Sequence, residues 1–200
     1  MDAEIGAAAA VHGREFEIEC RLLIDAVYHL YHYDFRGYAP ASLRRRLKSA
    51  MNHFSCGTIS KLQDRIMHEP ATFPVLLDYL TVQVSEMFRD PGYFQAVRTK
   101  VVPLLRTSPS LKLWVAGCSA GEEAYSLAIL LHEEGLLSRT LIYATDINPH
   151  SLQRAGAGVY GVERVAGFTA NHQKSVATSS LSDYYTAAYG RAVFDKALRD

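Results

Sequence analysis

Residues 111–129 of this 200-residue chain read LKLWVAGCSAGEEAYSLAI. An apolar run of strand length (111–116) meets a turn that contains Gly117 and Gly121, and an alanine- and leucine-rich run follows at once. The order of strand, turn and helix N-terminus is typical of α/β proteins that bind a small ligand at the carboxyl end of a strand. We therefore predict a βα unit whose glycines let a ligand approach the backbone.

The chemistry of this turn argues against a phosphate ligand. The turn reads G-x-x-x-G, without the lysine of a P-loop and without the G-x-G-x-x-G of dinucleotide folds. Glu122 and Glu123 come next, and two carboxylates would repel a pyrophosphate but suit an ammonium group. A second strand-like run (140–145) ends at Asp146, where an acid can accept hydrogen bonds from ribose hydroxyls. An amino group, a ribose and no phosphate describe S-adenosylmethionine. The alternative is a tight strand-to-helix turn followed by a surface acid.

Two runs and four single residues form a pattern more specific than a glycine turn: VAGCSAGEEAYS at 115–126, ATDIN at 144–148, and Leu152, Ala155, Gly158 and Tyr160. This pattern closely resembles the CheR-type chemoreceptor methyltransferases, which transfer a methyl group from S-adenosylmethionine to glutamate side chains of bacterial chemotaxis receptors. The resemblance implies an α/β protein, with a small N-terminal helical bundle followed by a Rossmann-like class I methyltransferase domain. It also implies S-adenosylmethionine as cofactor and a cytoplasmic location.

A second segment, 81–94, resembles the family signature T-x-F-F-R-x-x-x-x-F, which lies beside the cofactor. By position, Ser85 takes the hydroxyl place and Arg89 the arginine place. Gln83 stands where relatives often have asparagine, and Met87 replaces the first phenylalanine. Serine keeps a hydroxyl and glutamine keeps an amide, so the hydrogen-bonding groups are retained.

The resemblance assigns a role to each matched residue. Gln83 and Ser85 would border the methionine portion of the cofactor, Glu122 would face its ammonium group, and Asp146 would hold its ribose. Arg89 would contact the cofactor site and act as the catalytic residue that orients the incoming carboxylate, because a guanidinium binds a carboxylate bidentately. Taken alone, Arg89 also suits a surface charge that pairs with a neighbouring acid. No metal and no strong general base are implied, since a glutamate nucleophile is ionised at pH 7.

Apolar periodicity predicts an N-terminal helical domain over 14–102, preceded by a loose tail at 1–13. Ser42 is the expected cap of its second helix. The predicted helices are 14–33, 42–54, 58–68 and 71–84, with another beginning at Pro91, and the candidate core residues are Leu62, Ile66, Phe73, Leu76, Leu77 and Leu80.

The second predicted domain, 111–200, binds the cofactor. A helix is expected to start at 148–150 and to end near Gly156 or Gly158, and the polar stretch 161–180 is predicted to be a loop. The stretch 181–195 resembles the start of the family's small antiparallel subdomain, which in some members grips the receptor tail. Its tyrosines, from Tyr184 to Tyr189, suit equally well an aromatic cluster that covers the edge of a core.

The second helix is rich in basic residues. Five bases and no acid lie between 36 and 48: Arg36, Arg44, Arg45, Arg46 and Lys48. Such a run is often a solvated helix face, but it can also dock an acidic partner. The resemblance favours docking, because the family's substrate is a glutamate-rich helical bundle of a receptor.

Composition narrows the class of protein. The 21 basic and 21 acidic residues balance, so the chain has no nucleic-acid or membrane signature, and no apolar run approaches a bilayer span. Cys20, Cys56 and Cys118 are widely spaced and fit a reducing cytosol. His29 and His32 have metal-ligand spacing but no evident third ligand, so packing and surface roles are preferred.

Only two strands of the seven usual in a methyltransferase sheet are identified, so we expect the catalytic domain to be incomplete at its C-terminus. Two other interpretations of the function therefore stay open. One is a module that binds S-adenosylmethionine without turnover, and the other is a non-enzymatic docking domain of a signalling array that uses the basic helix alone.

Overall fold

The computed structural model describes the backbone of residues 2–81 and 85–199, and their side chains from residue 13 onward. The chain divides into two compact units, 1–82 and 83–200. Each unit has a hydrophobic core of its own. Within the described residues, no helix is both long enough and apolar enough to cross a membrane.

The first unit is a helical bundle. All six predicted core residues are buried, where they pack with Leu23 and Val27 of the first helix, so this prediction is confirmed. The elements are α1 (Asp2–Tyr31), α2 (Pro40–His53), α3 (Ile59–His68), a 3-10 turn (Pro70–Thr72) and α4 (Phe73–Leu80).

Two expectations about helix starts are wrong. Helix α1 begins at Asp2 rather than after a loose tail, because the alanine run at 7–10 has high helix propensity. Helix α2 begins at Pro40, since proline is favoured in the first turn of a helix, and its N-cap position is Ala39. Ser42 therefore lies inside α2, where its hydroxyl accepts a hydrogen bond from Arg46 Nε at 3.1 Å.

The second unit is α/β, as predicted. Its elements are α5 (Pro91–Ala96), a π-helical turn (Val97–Val101), α6 (Val102–Leu105), β1 (Leu111–Ala116), α7 (Glu122–Glu133), β2 (Thr140–Thr145), α8 (Pro149–Ala157), β3 (Val159–Gly161), α9 (Val162–Lys174), β4 (Tyr185–Ala188) and β5 (Arg191–Phe194). Short 3-10 turns lie at Leu137–Arg139, Leu181–Tyr184 and Lys196–Leu198.

The predicted βαβ unit is present. Strands β1 and β2 are parallel, and their register pairs Leu111 with Thr140 and Ala116 with Thr145. Leu111 and Val115 of β1 share a core with the buried residues of α7. This register places the ends of both strands side by side, so that residues 117–121 and Asp146 start from the same edge of the sheet.

The division between the units lies at 82/83 rather than at 102. The physical reason is the packing of residues 85–105, because Phe88, Phe94 and Val102 are buried in the core of the second unit. Residues 85–94 of the segment expected to line the cofactor thus belong to the same unit as the βαβ element.

The prediction of a loop at 161–180 is wrong, because most of this stretch forms helix α9. Val165, Phe168 and His172 are buried on one face of this helix. The apolar periodicity of this helix is weak, because a histidine takes the third position of the buried face. Strands β3, β5 and β4 form a separate antiparallel sheet in that order, and β4 and β5 form a hairpin, as expected for the start of an antiparallel subdomain.

Candidate cofactor site

The glycine turn (residues 117–121) is bonded to the end of β2. The backbone N–H groups of Gly117 and Cys118 both donate to the carbonyl of Thr145, at 2.8 and 2.9 Å. The N–H of Ser119 donates to Oδ2 of Asp146 at 2.8 Å, and Oδ1 of the same carboxylate accepts from the N–H of Asn148 at 2.8 Å. The structure therefore brings Asp146 to the turn.

The two glycines of the turn have different roles. Gly117 has φ +76°, and a Cβ there would meet no atom of the described residues within 4 Å beyond its chain neighbours. Gly121 has φ +94°, and its Cβ would lie 2.9 Å from Ala155 Cβ. Gly117 thus leaves space open at the turn, whereas Gly121 permits the close approach of helix α8.

Glu122, at the start of α7, is a buried carboxylate whose two oxygens have one partner, Arg164, among the described residues. The residue is 2% exposed. Its Oε1 lies 2.9 Å from Nη1 of Arg164, which forms a salt bridge with it. Its Oε2 is also buried and accepts no hydrogen bond from the part of the chain that the structure describes. A buried carboxylate oxygen without a donor is costly, so this atom indicates a place for a ligand donor.

The segment 85–90 lies beside the first turn of α7. The carbonyl of Ser85 accepts a hydrogen bond from Arg164 Nη2 at 2.5 Å. The N–H of Phe88 donates to the buried Ser126 hydroxyl at 2.8 Å, and this hydroxyl donates to the carbonyl of Glu122 at 2.7 Å. Ser85 and Glu122 are therefore joined through Arg164, while Gln83 lies outside the described residues.

Arg89 is exposed and sits in an unusual bend. The residues on either side, Phe88 and Asp90, have φ of 51° and 57°, a left-handed conformation that is rare outside glycine. The aromatic ring of Phe88 is buried against Phe94 and His172, with ring centroids 5.0 and 4.6 Å apart. Such strain persists only where packing enforces it, and here packing holds the bend that carries Arg89.

Two further side chains support the turn rather than react. Tyr160 donates its hydroxyl to the carbonyl of Ala120 at 2.8 Å, and burial, followed by the nearby charge of Glu122, raises its pKa. Burial raises the pKa of the Cys118 thiol to about 11, with the charge of Asp146 adding to the effect. Cys118 therefore remains a thiol near neutral pH and is a poor nucleophile.

Four further residues contact the candidate site and are not predicted from the sequence: Ser119, Ser126, Arg164 and Asn171. Ser126 ends the recognised run, but its spacing alone does not reveal that it accepts from the N–H of Phe88. Arg164 and Asn171 lie on α9, where a loop was predicted. Recognition of α9 as a helix would have provided a signal, since residues seven apart share a face.

The basic residues around α2 have unequal surroundings. Arg36 forms a bidentate pair with Asp34, and Arg44 pairs with Glu17. Nη1 of Arg46 donates to the carbonyls of Tyr79, Leu80 and Thr81, at 3.2, 3.2 and 2.7 Å, which caps the end of α4. Arg45 and Lys48 are exposed. The structure thus gives Arg46 a supporting role within the bundle.

The tyrosines near the hairpin differ in exposure. Tyr184 is buried in the core of the second unit, as an aromatic cluster at a core edge requires. Tyr189 is fully exposed at the hairpin turn, with φ 49° and followed by Gly190 at φ 72°.

Comparison with protein families gives two matches that together cover most of the chain. Residues 18–81 match the CheR methyltransferase all-alpha domain, and residues 83–197 match the CheR methyltransferase SAM binding domain. The match to a SAM binding domain indicates S-adenosylmethionine as the cofactor.

Several similar proteins carry methyltransferase names. A putative methyltransferase, Cher3 of Pseudomonas putida, is 57% identical over 94% of this chain and 68% of its own length. An uncharacterized 104.1 kDa protein of Rhodobacter capsulatus is 28% identical over 79% of this chain and 17% of its own length. A chemotaxis protein methyltransferase of Listeria monocytogenes is 30% identical over 64% of this chain, which spans about half (49%) of that relative. The chain belongs to the CheR methyltransferase family.

Proposed function

We propose that this chain binds S-adenosylmethionine at the glycine turn and transfers its methyl group to glutamate side chains of a chemotaxis receptor. The observation that carries the proposal is the buried Oε2 of Glu122, which has no donor among the described residues. An ammonium group supplies the missing donor together with a compensating charge.

The other groups of the turn suit the remaining parts of the same cofactor. The open space beside Gly117 admits a ligand close to the backbone. Asp146 already accepts one hydrogen bond at each oxygen, but a carboxylate has about four acceptor sites, so it can also accept from ribose hydroxyls. Ser85 and Gln83 would border the methionine portion.

When bound, the cofactor supplies an electrophilic methyl group on its sulfonium. The work of the chain is then to position and orient the reactants. The substrate carboxylate is ionised at pH 7 and needs no strong base. Arg89, held in its bend by the buried Phe88, is our candidate for orienting that carboxylate through a bidentate contact.

The receptor would approach through the basic surface around α2. Arg45 and Lys48 are the exposed bases of this helix and are our candidates for contact with an acidic helical bundle. Arg44 would contribute only by exchanging Glu17 for the partner, and Arg46 supports α4 instead.

A second candidate function is binding of S-adenosylmethionine without turnover. This chain spans 68% of the length of Cher3 and 49% of the length of the Listeria protein. The two functions share the cofactor site and differ only in methyl transfer.

The test is a methyl-transfer assay with radiolabelled S-adenosylmethionine and receptor cytoplasmic fragments. We expect label on the fragment that is released by alkali, as from a glutamyl methyl ester, and none on a fragment whose acceptor glutamates are changed to glutamine. Calorimetry with S-adenosylhomocysteine is run in parallel. Binding without transfer would favour the second function, and no binding would overturn both.

A further inference from the structure

Arg164 makes contacts on both sides of the candidate site. Its Nη1 lies 2.9 Å from Glu122 Oε1, and its Nη2 donates to the carbonyl of Ser85 at 2.5 Å. The guanidinium also lies over the ring of Phe168, 4.9 Å from its centroid, and 5.8 Å from the centroid of Tyr160. A single planar group thus joins the start of α7 to the segment 85–90, and two aromatic rings restrict its position.

Arg164 is the first of three contacts that α9 makes with the same segment. Seven residues further along, Asn171 donates through Nδ2 to the carbonyl of Met87 at 3.2 Å. The ring of the next residue, His172, packs against the ring of Phe88, and the two ring centroids are 4.6 Å apart. Residues spaced by seven and eight lie on one helix face, so α9 holds the segment 85–88 as a unit.

We propose that Arg164 is a positioning residue for the amino-acid end of the bound cofactor. It holds Oε1 of Glu122, and this contact sets the carboxylate so that Oε2 is left for the ligand's ammonium group. The same guanidinium sets the distance between Glu122 and Ser85. This inference rests on the proposed function, because it presumes that the ammonium group binds at Glu122.

The shape of the guanidinium explains why an arginine is required. Its donors point in fixed directions in one plane, so one side chain can serve the Glu122 carboxylate and the Ser85 carbonyl together. A lysine would keep the charge beside Glu122 but would present a compact ammonium without this fork. A glutamine would lose the charge and leave a buried carboxylate without its cation, which is unfavourable.

The test compares two ligands that differ in the part read by Glu122. S-adenosylhomocysteine carries the amino-acid end, whereas 5′-methylthioadenosine carries the same nucleoside without it. For Arg164→Gln we expect about a 10-fold or greater loss of affinity for S-adenosylhomocysteine and less than about a twofold loss for 5′-methylthioadenosine. Arg164→Lys should recover part of the loss. Circular dichroism melts confirm that each variant is folded.

Equal losses for both ligands in a folded variant would overturn the proposal, as would an unchanged or higher affinity for S-adenosylhomocysteine. A double variant separates positioning from direct contact with the ligand's carboxylate. If Arg164 acts through Glu122, Glu122→Gln with Arg164→Gln binds no more weakly than Glu122→Gln alone. Losses that add would contradict this. Failure of the unchanged protein to bind S-adenosylhomocysteine would instead refute the proposed function itself.

Discussion

The backbone N–H of Ser119 donates a 2.8 Å hydrogen bond to Oδ2 of Asp146, which joins the glycine turn to the end of β2. The other oxygen of Asp146 holds the N–H of Asn148, where α8 begins. One carboxylate therefore shapes the turn and the following helix start. The residue proposed to bind the ribose is also the one that organises the loop around it.

If Asp146 has both roles, it is the position at which a substitution should weaken nucleoside binding most. In Asp146→Ala we expect at least about a 100-fold loss of affinity for both S-adenosylhomocysteine and 5′-methylthioadenosine, since ribose contacts and turn shape are lost together. Calorimetry measures both ligands. Asp64→Ala, an exposed acid of the first unit, serves as the control and should leave both affinities unchanged. Tight binding by Asp146→Ala would show that the site is misplaced.

A glycine pair tests whether the open space at the turn belongs to the ligand. Gly117 and Gly135 both have positive φ, +76° and +67°, and a Cβ on either would meet no described atom within 4 Å beyond its chain neighbours. Changing either to alanine should therefore lower the free energy of unfolding by a similar amount, about 1–2 kcal/mol. Only Gly117→Ala should weaken S-adenosylhomocysteine binding, measured by calorimetry. Equal affinities in the two variants would contradict the assigned position of the ligand.

Arg46 and Arg45 are adjacent in sequence but should differ in their effect on stability. Arg46→Ala removes the donor shared by three carbonyls at the end of α4, so we expect the first unit to lose about 1.5–3 kcal/mol of unfolding free energy. Arg45→Ala should change stability by less than about 0.5 kcal/mol. Urea unfolding measures both. If Arg46→Ala proved as stable as Arg45→Ala, the capping role of Arg46 would be wrong.

We predict that the second unit loses stability in acid because of the buried carboxyl of Glu133. Burial by itself would raise the pKa of this carboxyl, but hydrogen bonds from His172, Ser179 and Arg98 outweigh burial and lower it from 4.5 to about 2. Because the pKa is lower in the folded state, Glu133 makes its full contribution to the free energy of unfolding at any pH above the pKa of the unfolded chain. It is lost as the pH falls from about 5 towards 2. The total is on the order of 3 kcal/mol.

The measurement is the free energy of unfolding as a function of pH. Glu133→Gln keeps the size of the side chain but removes its titration, so its stability should be lower at pH 7 and should depend less on pH below about 5. Ser179 and His172 are unchanged in sequence in this variant, so the two proteins differ only at residue 133. An identical acid dependence in both proteins would mean that other carboxyls cause the loss.

The elements nearest the site were predictable because their signals are local. The apolar run of β1, the glycines and acids at 117–123 and the apolar run of β2 each lie within a few residues, and each indicates its own structure. Glu122 and Asp146 could be named for the same reason, since their positions follow from strand and helix ends. In the structure Glu122 is the first residue of α7 and Asp146 directly follows β2, while their roles towards the cofactor stay predictions.

The remaining site contacts depend on parts of the chain that are distant in sequence. Arg164 lies 79 residues from Ser85, and no spacing rule connects them. The sequence does not predict its helix, α9, because α9 has few apolar residues and His172 completes the buried face. The surroundings of the basic residues in α2 are likewise not predictable from composition. Arg46 contacts the end of α4, whereas the adjacent Arg45 is exposed.

The most direct test of the account is a calorimetric titration of the chain and of Glu122→Gln with S-adenosylhomocysteine. The amide keeps the size of the side chain but removes the charge that we propose receives the ammonium group. We predict that the unchanged chain binds and that Glu122→Gln binds about 10- to 100-fold more weakly. No heat from the unchanged chain at about 1 mM ligand, or equal affinity in the two proteins, would contradict the assignment of this cofactor to Glu122.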